Sequence, residues 1–243
     1  MSYGILEGDE VVPVNARPWE RVVRAGQAVP LDRVRLLAPC EPTKIVAVGR
    51  NYRAHAAELG NEVPASPIIF LKPPTAVIGP GGRIVYPAVS RNVHHEGELA
   101  VVIGRRCRSV PPAAVADYVW GYTCANDVTA RDLQRLDEQW TRSKSFDTFC
   151  PLGPWIDSAL DPADASVVCR VNGQVRQSGR TADMVFDVPT LVAFIAEAMT
   201  LEPGDVILTG TPEGVGPLVP GDTVEVEIQG LGVLENSVVA ACS

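Results

Sequence analysis

His94-His95-Glu96-Gly97-Glu98-Leu99-Ala100-Val101-Val102-Ile103-Gly104 is the stretch from which the fold and the chemistry of this chain are read. From Leu99 onward it is apolar enough for a buried strand, yet it opens on two carboxylates spaced i, i+2. Successive side chains of a strand alternate faces, so Glu96 and Glu98 point the same way. Like charges side by side at the mouth of an apolar strand repel each other and resist burial. A hard cation between them removes both difficulties, and all-oxygen ligation suits Mg²⁺, Mn²⁺ or Ca²⁺. Taken alone, the pair reads equally as a solvated strand end with two surface glutamates.

Outward from this stretch the chain is rich in turns. It has 243 residues, 46% of them hydrophobic, with 21 prolines and 21 glycines. That composition supports a sizeable core built of short strands, not disorder and not long helices. A net charge of −8 with no basic run argues against nucleic acid or an anionic membrane as partner. Six cysteines (40, 107, 124, 150, 169 and 242) occur without a C-x-x-C pair, which excludes common zinc spacing and a disulfide scaffold. The first residues lack a signal-peptide pattern, and no apolar run approaches a membrane span, so the cytoplasm is the expected compartment.

Tyr3 to Val14 is expected to form a hairpin turning at Glu7-Gly8-Asp9. Residues 1–42 then make a small Pro-punctuated lead-in before a main domain over 43–243, whose first strand is Lys44 to Gly49. Asn51 is placed as an N-cap and Gly60 as the stop of a short helix, on which His55 and Glu58 share a face at i, i+3. An imidazole oriented by a carboxylate suits a general base, and the same spacing suits an ordinary surface pair. Ile68 to Leu71 reads as a buried strand ended by Lys72-Pro73-Pro74, and Pro111 to Tyr118 as a short helix. Val119 to Asn126 reads as a strand leading to Asp127, which is either a helix N-cap or a short acidic ligand. Lys144 stands among small polar residues, where a lysine is ordinarily solvated. Asn172-Gly173 between two strand-like runs specifies a type I′ hairpin. Asp187 caps a helix over Val188 to Met199 with Leu191, Phe194, Ile195 and Ala198 as its apolar face. Val206 to Leu208 empties into Thr209-Gly210-Thr211-Pro212-Glu213-Gly214-Val215-Gly216, a loop able to offer backbone N–H groups and hydroxyls to an anion but lacking the lysine and spacing of a nucleotide-binding loop. Asp222 to Ile228 and Val233 to Val239 close the chain as a hairpin.

Five of these stretches, in this order, resemble the fumarylacetoacetate hydrolase superfamily of metal-dependent enzymes. They are Val48-Gly49-Arg50-Asn51-Tyr52 with His55 and Glu58, His95 to Gly104, Gly121-Tyr122 through Asn126-Asp127 to Gln134, Lys144-Ser145-Phe146-Asp147, and Thr209 to Gly216. The likeness covers about residues 35 to 240. It implies an α+β, mainly β fold of the mixed β-roll type with few short helices, a divalent cation (Mg²⁺ or Mn²⁺, with Ca²⁺ as a substitute), and often a homodimer. Glu96, Glu98 and Asp127 match the family's metal carboxylates. His55 and Glu58 match its acid–base pair, carried on a lid. Lys144 and Thr211, with Arg50 and Gln134, match positions that meet the substrate, Lys144 also counting among the catalytic groups. Gly97 stands where larger residues are common, on the side turned away from the site. The large N-terminal domain of the fumarylacetoacetate hydrolases proper is absent, which puts that substrate in doubt.

The implied activity is turnover of a small anionic 2-oxo or 2-enol carboxylate through an enolate held at the metal, three carboxylates leaving about three of six octahedral positions open. Hydrolysis of acylpyruvates or decarboxylation of oxaloacetate-type acids is expected first. The rival is isomerisation or tautomerisation of 2-hydroxymuconate-type diacids (5-carboxymethyl-2-hydroxymuconate, 2-hydroxyhepta-2,4-diene-1,7-dioate) in aromatic catabolism. A different class is a non-catalytic module stabilised by a structural cation, which would leave Lys144 and the His55/Glu58 pair without a use.

Overall fold

Two β-sheets face each other across one core in the computed structural model, which describes residues 2–241; Cys242 lies outside the described residues. The larger sheet has seven strands in the spatial order Ile68–Lys72, Ile45–Gly49, Val206–Leu208, Gly97–Ile103, Val119–Asn126, Cys150–Asp157, Val77–Ile78. The facing sheet has five, in the order Gln174–Arg180, Ser166–Val171, Thr223–Ile228, Gly232–Ala240, Arg83–Tyr86. The chain is mainly β with short helices, as expected.

Alternation explains how the central strands are buried on both faces. Val46, Val48, Leu99, Val101 and Ile103 point into the inter-sheet core with Val167, Val224, Val226 and Ile228 of the opposite sheet. Ile45, Ala47, Ala100, Val102 and Ala125 point to the other face, where Trp19 and Phe70 pack against them. Every residue of Gly97–Ile103 is buried. Buried Asp205 fixes the entry to this sheet, accepting hydrogen bonds from the N–H groups of Thr43 and Lys44 and from the Thr43 hydroxyl.

Local expectations are met where the turn chemistry is strong. The N-terminal hairpin pairs Gly4–Glu7 with Glu10–Pro13. Asn172 and Gly173 both have positive φ, 52° and 74°, as a type I′ turn demands. Asp187 Oδ1 accepts the Thr190 N–H at 2.9 Å and caps the helix Val188–Ala198.

Other expectations are corrected. The helix near His55 is Arg53–Glu58 with Tyr52 at its N-cap, because the Asn51 side chain is drawn into tertiary bonds. Ile68–Lys72 is half-buried with Leu71 exposed, since it forms an edge of the sheet. Pro112–Asp117 is a 3₁₀ helix. The buried stripe of Val188–Ala198 runs through Val188, Leu191, Val192, Ile195 and Ala196, leaving Ala198 exposed. The five described cysteines are buried and free, and burial pushes the thiols of Cys40, Cys124, Cys150 and Cys169 up to about 12. No helix among the described residues is long and apolar enough to cross a membrane.

Candidate active site and metal centre

A third, three-stranded sheet places the site. It is ordered Thr129–Ala130, Val93–His95, Gly216–Leu218, and each of its strands is joined directly to a strand of the large sheet. Glu96 is the single residue between Val93–His95 and Gly97–Ile103. Asp127 stands just past the end of Val119–Asn126, before Thr129–Ala130, and its N–H donates to the Glu96 carbonyl at 2.9 Å. The loop 209–215 makes the third crossing, from Val206–Leu208 to Gly216–Leu218. Three connections therefore pass between sheets side by side, and the breaks in regular pairing aim side chains into the gap. Asp127 caps no helix, as the next one, Arg131–Leu136, has Ala130 at its N-cap.

The carboxylates of Glu96, Glu98 and Asp127 converge there, one oxygen of each lying within 4.8 Å of the others, and all three residues are buried. Gly97 faces the opposite way: a Cβ there would sit 3.2 Å from Cys169 Cβ and 3.3 Å from Val226 Cγ1.

Three cations accompany the three acids. Lys144 Nζ donates to Glu96 Oε2 at 2.7 Å and to Asp127 Oδ2 at 2.6 Å. Arg131 donates to Glu96 Oε1 and, through Nη1, to Gln134 Oε1 at 2.7 Å. Lys72 Nζ donates to Asp127 Oδ1 at 2.6 Å. Burial pushes the Glu96 carboxyl up, but the charges of Lys144 and Arg131 outweigh it and hold Glu96 well below the usual carboxylate range. Among the described residues Glu98 pairs with no cation and accepts only the Gly210 N–H, at 2.7 Å. Burial raises its pKa, and the neighbouring Asp127 and Glu96 raise it further. Burial lowers the Lys144 pKa, yet Asp127 and Glu96 raise it more, so its ammonium is firmly charged.

These residues fit a divalent cation. Three hard oxygen donors at one point, one of them under electrostatic stress, form a site that an added positive charge relieves. The Lys144 ammonium already bridges Glu96 and Asp127, which leaves Glu98 as the acid without a cation among the described residues.

Of the other residues singled out in the sequence, Arg50, His55, Gln134, Lys144 and Thr211 line one cavity of about 230 Å³ together with Glu96 and Glu98, and Glu58 stands behind His55 outside that lining. His55 is buried, with Nδ1 3.3 Å from Glu58 Oε2, while Glu58 itself accepts the Gly214 N–H at 3.0 Å. The short helix is thus tied to the loop 209–215. The Thr211 hydroxyl donates to the Gly97 carbonyl at 2.8 Å and accepts from Gln177 Nε2 at 2.7 Å. Its backbone N–H makes no hydrogen bond among the described residues, so the main chain at Thr211 is what remains to donate to a bound anion.

Three structural participants were not foreseen. In the sequence Lys72 marks the end of a strand, but strand alternation puts it on one face with Ile68 and Phe70, and Phe70 lines the cavity. Fully buried Gln177 accepts from the Gly97 N–H at 2.9 Å and lies 3.1 Å from His95 Nδ1 through the same oxygen. Asn51 donates to the Thr209 carbonyl at 2.8 Å and the Phe186 carbonyl at 3.0 Å, and accepts the Phe186 N–H.

Lys72 also supports a prediction. Lys72→Met leaves Oδ1 of buried Asp127 without its cation, so unfolding of the metal-free protein in urea should show a loss of about 3 kcal/mol. A loss under about 1 kcal/mol would mean that the pair contributes little to holding Asp127.

Comparison with known proteins agrees with this geometry. The family model described as fumarylacetoacetate (FAA) hydrolase C-terminal matches residues 44–239, and one described as Rv2993c-like, N-terminal matches residues 1–39. The crystal structure of 5-carboxymethyl-2-hydroxymuconate delta-isomerase from Mycobacterium smegmatis is 50% identical, covers 99% of this chain and 94% of its own, and superposes with a TM-score of 0.92. A mitochondrial oxaloacetate decarboxylase of Dictyostelium discoideum is 49% identical over 195 residues, 77% of this chain and 87% of its own. Maleylpyruvate hydrolase from Sphingobium sp. SYK-6, solved with manganese(II) and pyruvate, is 36% identical with a TM-score of 0.83, covering 98% of this chain and 96% of its own.

Proposed function

Because this chain belongs to the fumarylacetoacetate hydrolase family, we propose that it is a divalent-metal-dependent enzyme acting on small 2-oxo or 2-enol carboxylates. The observation that carries the reading is the convergence of the three carboxylates beside a small cavity whose wall holds Glu96, Glu98, Lys144 and His55, with Glu58 bonded to His55 from behind. A cation held by Glu96, Glu98 and Asp127 supplies Lewis-acid polarisation of the substrate's 2-oxo group.

The chain's own residues account for the rest. Glu58 holds His55 through Nδ1, which leaves Nε2 as the base. His55 Nε2 takes a proton from a water that attacks the distal carbonyl of an acylpyruvate; collapse of the adduct breaks the C–C bond, releasing the carboxylic acid and an enolate whose carbon takes the proton back from Nε2 to give pyruvate. The Glu58 charge stabilises the imidazolium that forms in between. Lys144 puts positive charge where the substrate anion binds, and the Thr211 N–H and Gln134 stand at the cavity wall to orient its carboxylate. A second reading, isomerisation, tautomerisation or decarboxylation through the same proton transfers, is supported by the roughly 50% identity to the isomerase and the decarboxylase.

Acetylpyruvate, oxaloacetate and a 2-hydroxymuconate derivative offered to one Mg²⁺-loaded preparation separate these reactions. Turnover of one of them, abolished by chelation and restored by Mg²⁺ or Mn²⁺, is expected. Turnover that survives exhaustive chelation would contradict the proposal.

A further inference from the structure

Resting on the reading just given, we infer that Gln177 is a positioning residue for the substrate. Its amide seats the loop 209–215 against Gly97 and so keeps the Thr211 main chain at the cavity wall, where a substrate carboxylate binds.

Hydrogen-bond accounting is the first argument. Gln177 is fully buried on the edge strand Gln174–Arg180, most of which is exposed. Burying a primary amide costs free energy unless its donors and acceptor are matched, and here they are. Nε2 donates to the Thr211 hydroxyl at 2.7 Å and to the Pro212 carbonyl at 2.8 Å. Oε1 accepts the Gly97 N–H at 2.9 Å and lies 3.1 Å from His95 Nδ1. The orientation of the amide is forced, because the Gly97 N–H can only donate and the Pro212 carbonyl can only accept. The Thr211 hydroxyl accepts from Gln177, so its one hydrogen goes to the Gly97 carbonyl, 2.8 Å away. Gln177, Thr211 and Gly97 thus close a ring of three hydrogen bonds, and Gly97 is the residue between Glu96 and Glu98.

Close packing is the second, and it does not depend on the amide. A Cβ at Gly179 would stand 2.5 Å from Pro212 Cβ, and one at Gly214 would stand 2.0 Å from the Arg176 carbonyl oxygen. Strand and loop therefore touch on either side of Gln177, and glycine is the residue that admits so close an approach. The loop carries two groups that the proposed reaction uses. Thr211 lines the cavity, and its N–H makes no hydrogen bond among the described residues. Gly214 donates its N–H to Glu58, which holds His55. Gln177 is not part of the cavity lining, so it acts on a ligand through this loop. The carboxylates have anchors elsewhere. Lys144, Arg131 and Lys72 hold Glu96 and Asp127, and Glu98 keeps its place through strand pairing opposite Ala125.

The test is calorimetric titration of Mn²⁺ into the chelated protein, and then of oxalate into the Mn²⁺-loaded protein, for wild type, Gln177→Met and Gly179→Ala. Gln177→Met keeps the side-chain volume and loses the donors and the acceptor, whereas Gly179→Ala keeps Gln177 and presses on Pro212. Gln177→Met should weaken oxalate by about 30-fold and leave Mn²⁺ affinity within about threefold of wild type. Gly179→Ala should show the same selectivity with a loss of about tenfold, through displacement of the loop alone. A side chain that only stabilises the fold would lower the unfolding midpoint and leave the oxalate affinity of folded protein unchanged, and that result overturns the assignment. Equal weakening of Mn²⁺ and oxalate also overturns it, by placing Gln177 with the metal ligands. If Gln177→Met does not fold, Gly179→Ala decides, and oxalate affinity equal to that of wild type overturns the seat. Absence of oxalate binding to wild type overturns the parent reading as well.

Discussion

Glu98→Gln is expected to cost the protein its divalent cation and about a thousandfold in turnover, while making the metal-free protein more stable. The first half follows from ligand count. Glu96 and Asp127 are each already engaged by cations, whereas Glu98 is held only by a backbone N–H, so its charge is the one most available to an incoming metal. Loss of the Lewis acid removes several kcal/mol of transition-state stabilisation, and each 1.36 kcal/mol is about tenfold in rate. The second half follows from the stress on Glu98, whose pKa is raised by burial and then by Asp127 and Glu96. A carboxyl with a raised folded-state pKa stabilises the fold below its unfolded value, and that contribution is lost as pH rises through the folded pKa. Glutamine keeps an acceptor for the Gly210 N–H without the charge. The variant's stability advantage without metal should therefore widen with rising pH, read as unfolding midpoints after chelation. An advantage that shrinks with pH would mean that Glu98 is not under this stress.

The second large effect is expected at His55. His55→Ala should lower kcat for acylpyruvate hydrolysis by about 10²- to 10⁴-fold and leave Mn²⁺ affinity unchanged. Among the described residues His55 makes no hydrogen bond to Glu96, Glu98 or Asp127; its hydrogen bond goes to Glu58, which anchors in turn on Gly214. Glu58→Gln should cost less, because it keeps a hydrogen-bonding partner for Nδ1 but loses the charge that stabilises the imidazolium. Steady-state kinetics with a parallel Mn²⁺ titration checks both variants. Loss of bound metal in His55→Ala would show that the imidazole belongs to the metal site instead.

How much of this was legible in the sequence depended on how local the physics is. The Asn172-Gly173 turn and the Asp187 cap are decided within a few residues, and both were readable. The carboxylate triad was readable only in company: each acid had an ordinary surface or capping role open to it, and the order of the surrounding motifs tipped the reading. Alternation along one strand was also too simple an account of Glu96 and Glu98, since Glu96 sits at the crossing between two sheets and not within a strand.

What stayed hidden was tertiary. Lys72 reaches Asp127 across 55 residues of sequence, and beside Pro73-Pro74 it looks like the end of a strand. Gln177 is buried in a strand whose neighbours are mostly exposed, so its polarity gave no hint of a partner on the opposite sheet. Asn51 looked like a helix cap because capping is the local use of that side chain, but three bonds to distant backbone groups outweigh one cap.

Electron paramagnetic resonance of Mn²⁺ added to the chelated, desalted protein, with and without oxalate, is the most direct measurement of whether Glu96, Glu98 and Asp127 form an open catalytic centre. One Mn²⁺ per chain, competed by Mg²⁺, absent in Glu98→Gln and with a spectrum altered by oxalate, is the expected result. No bound ion, or a bound ion whose spectrum is indifferent to oxalate, would contradict it, the latter by showing a closed structural site.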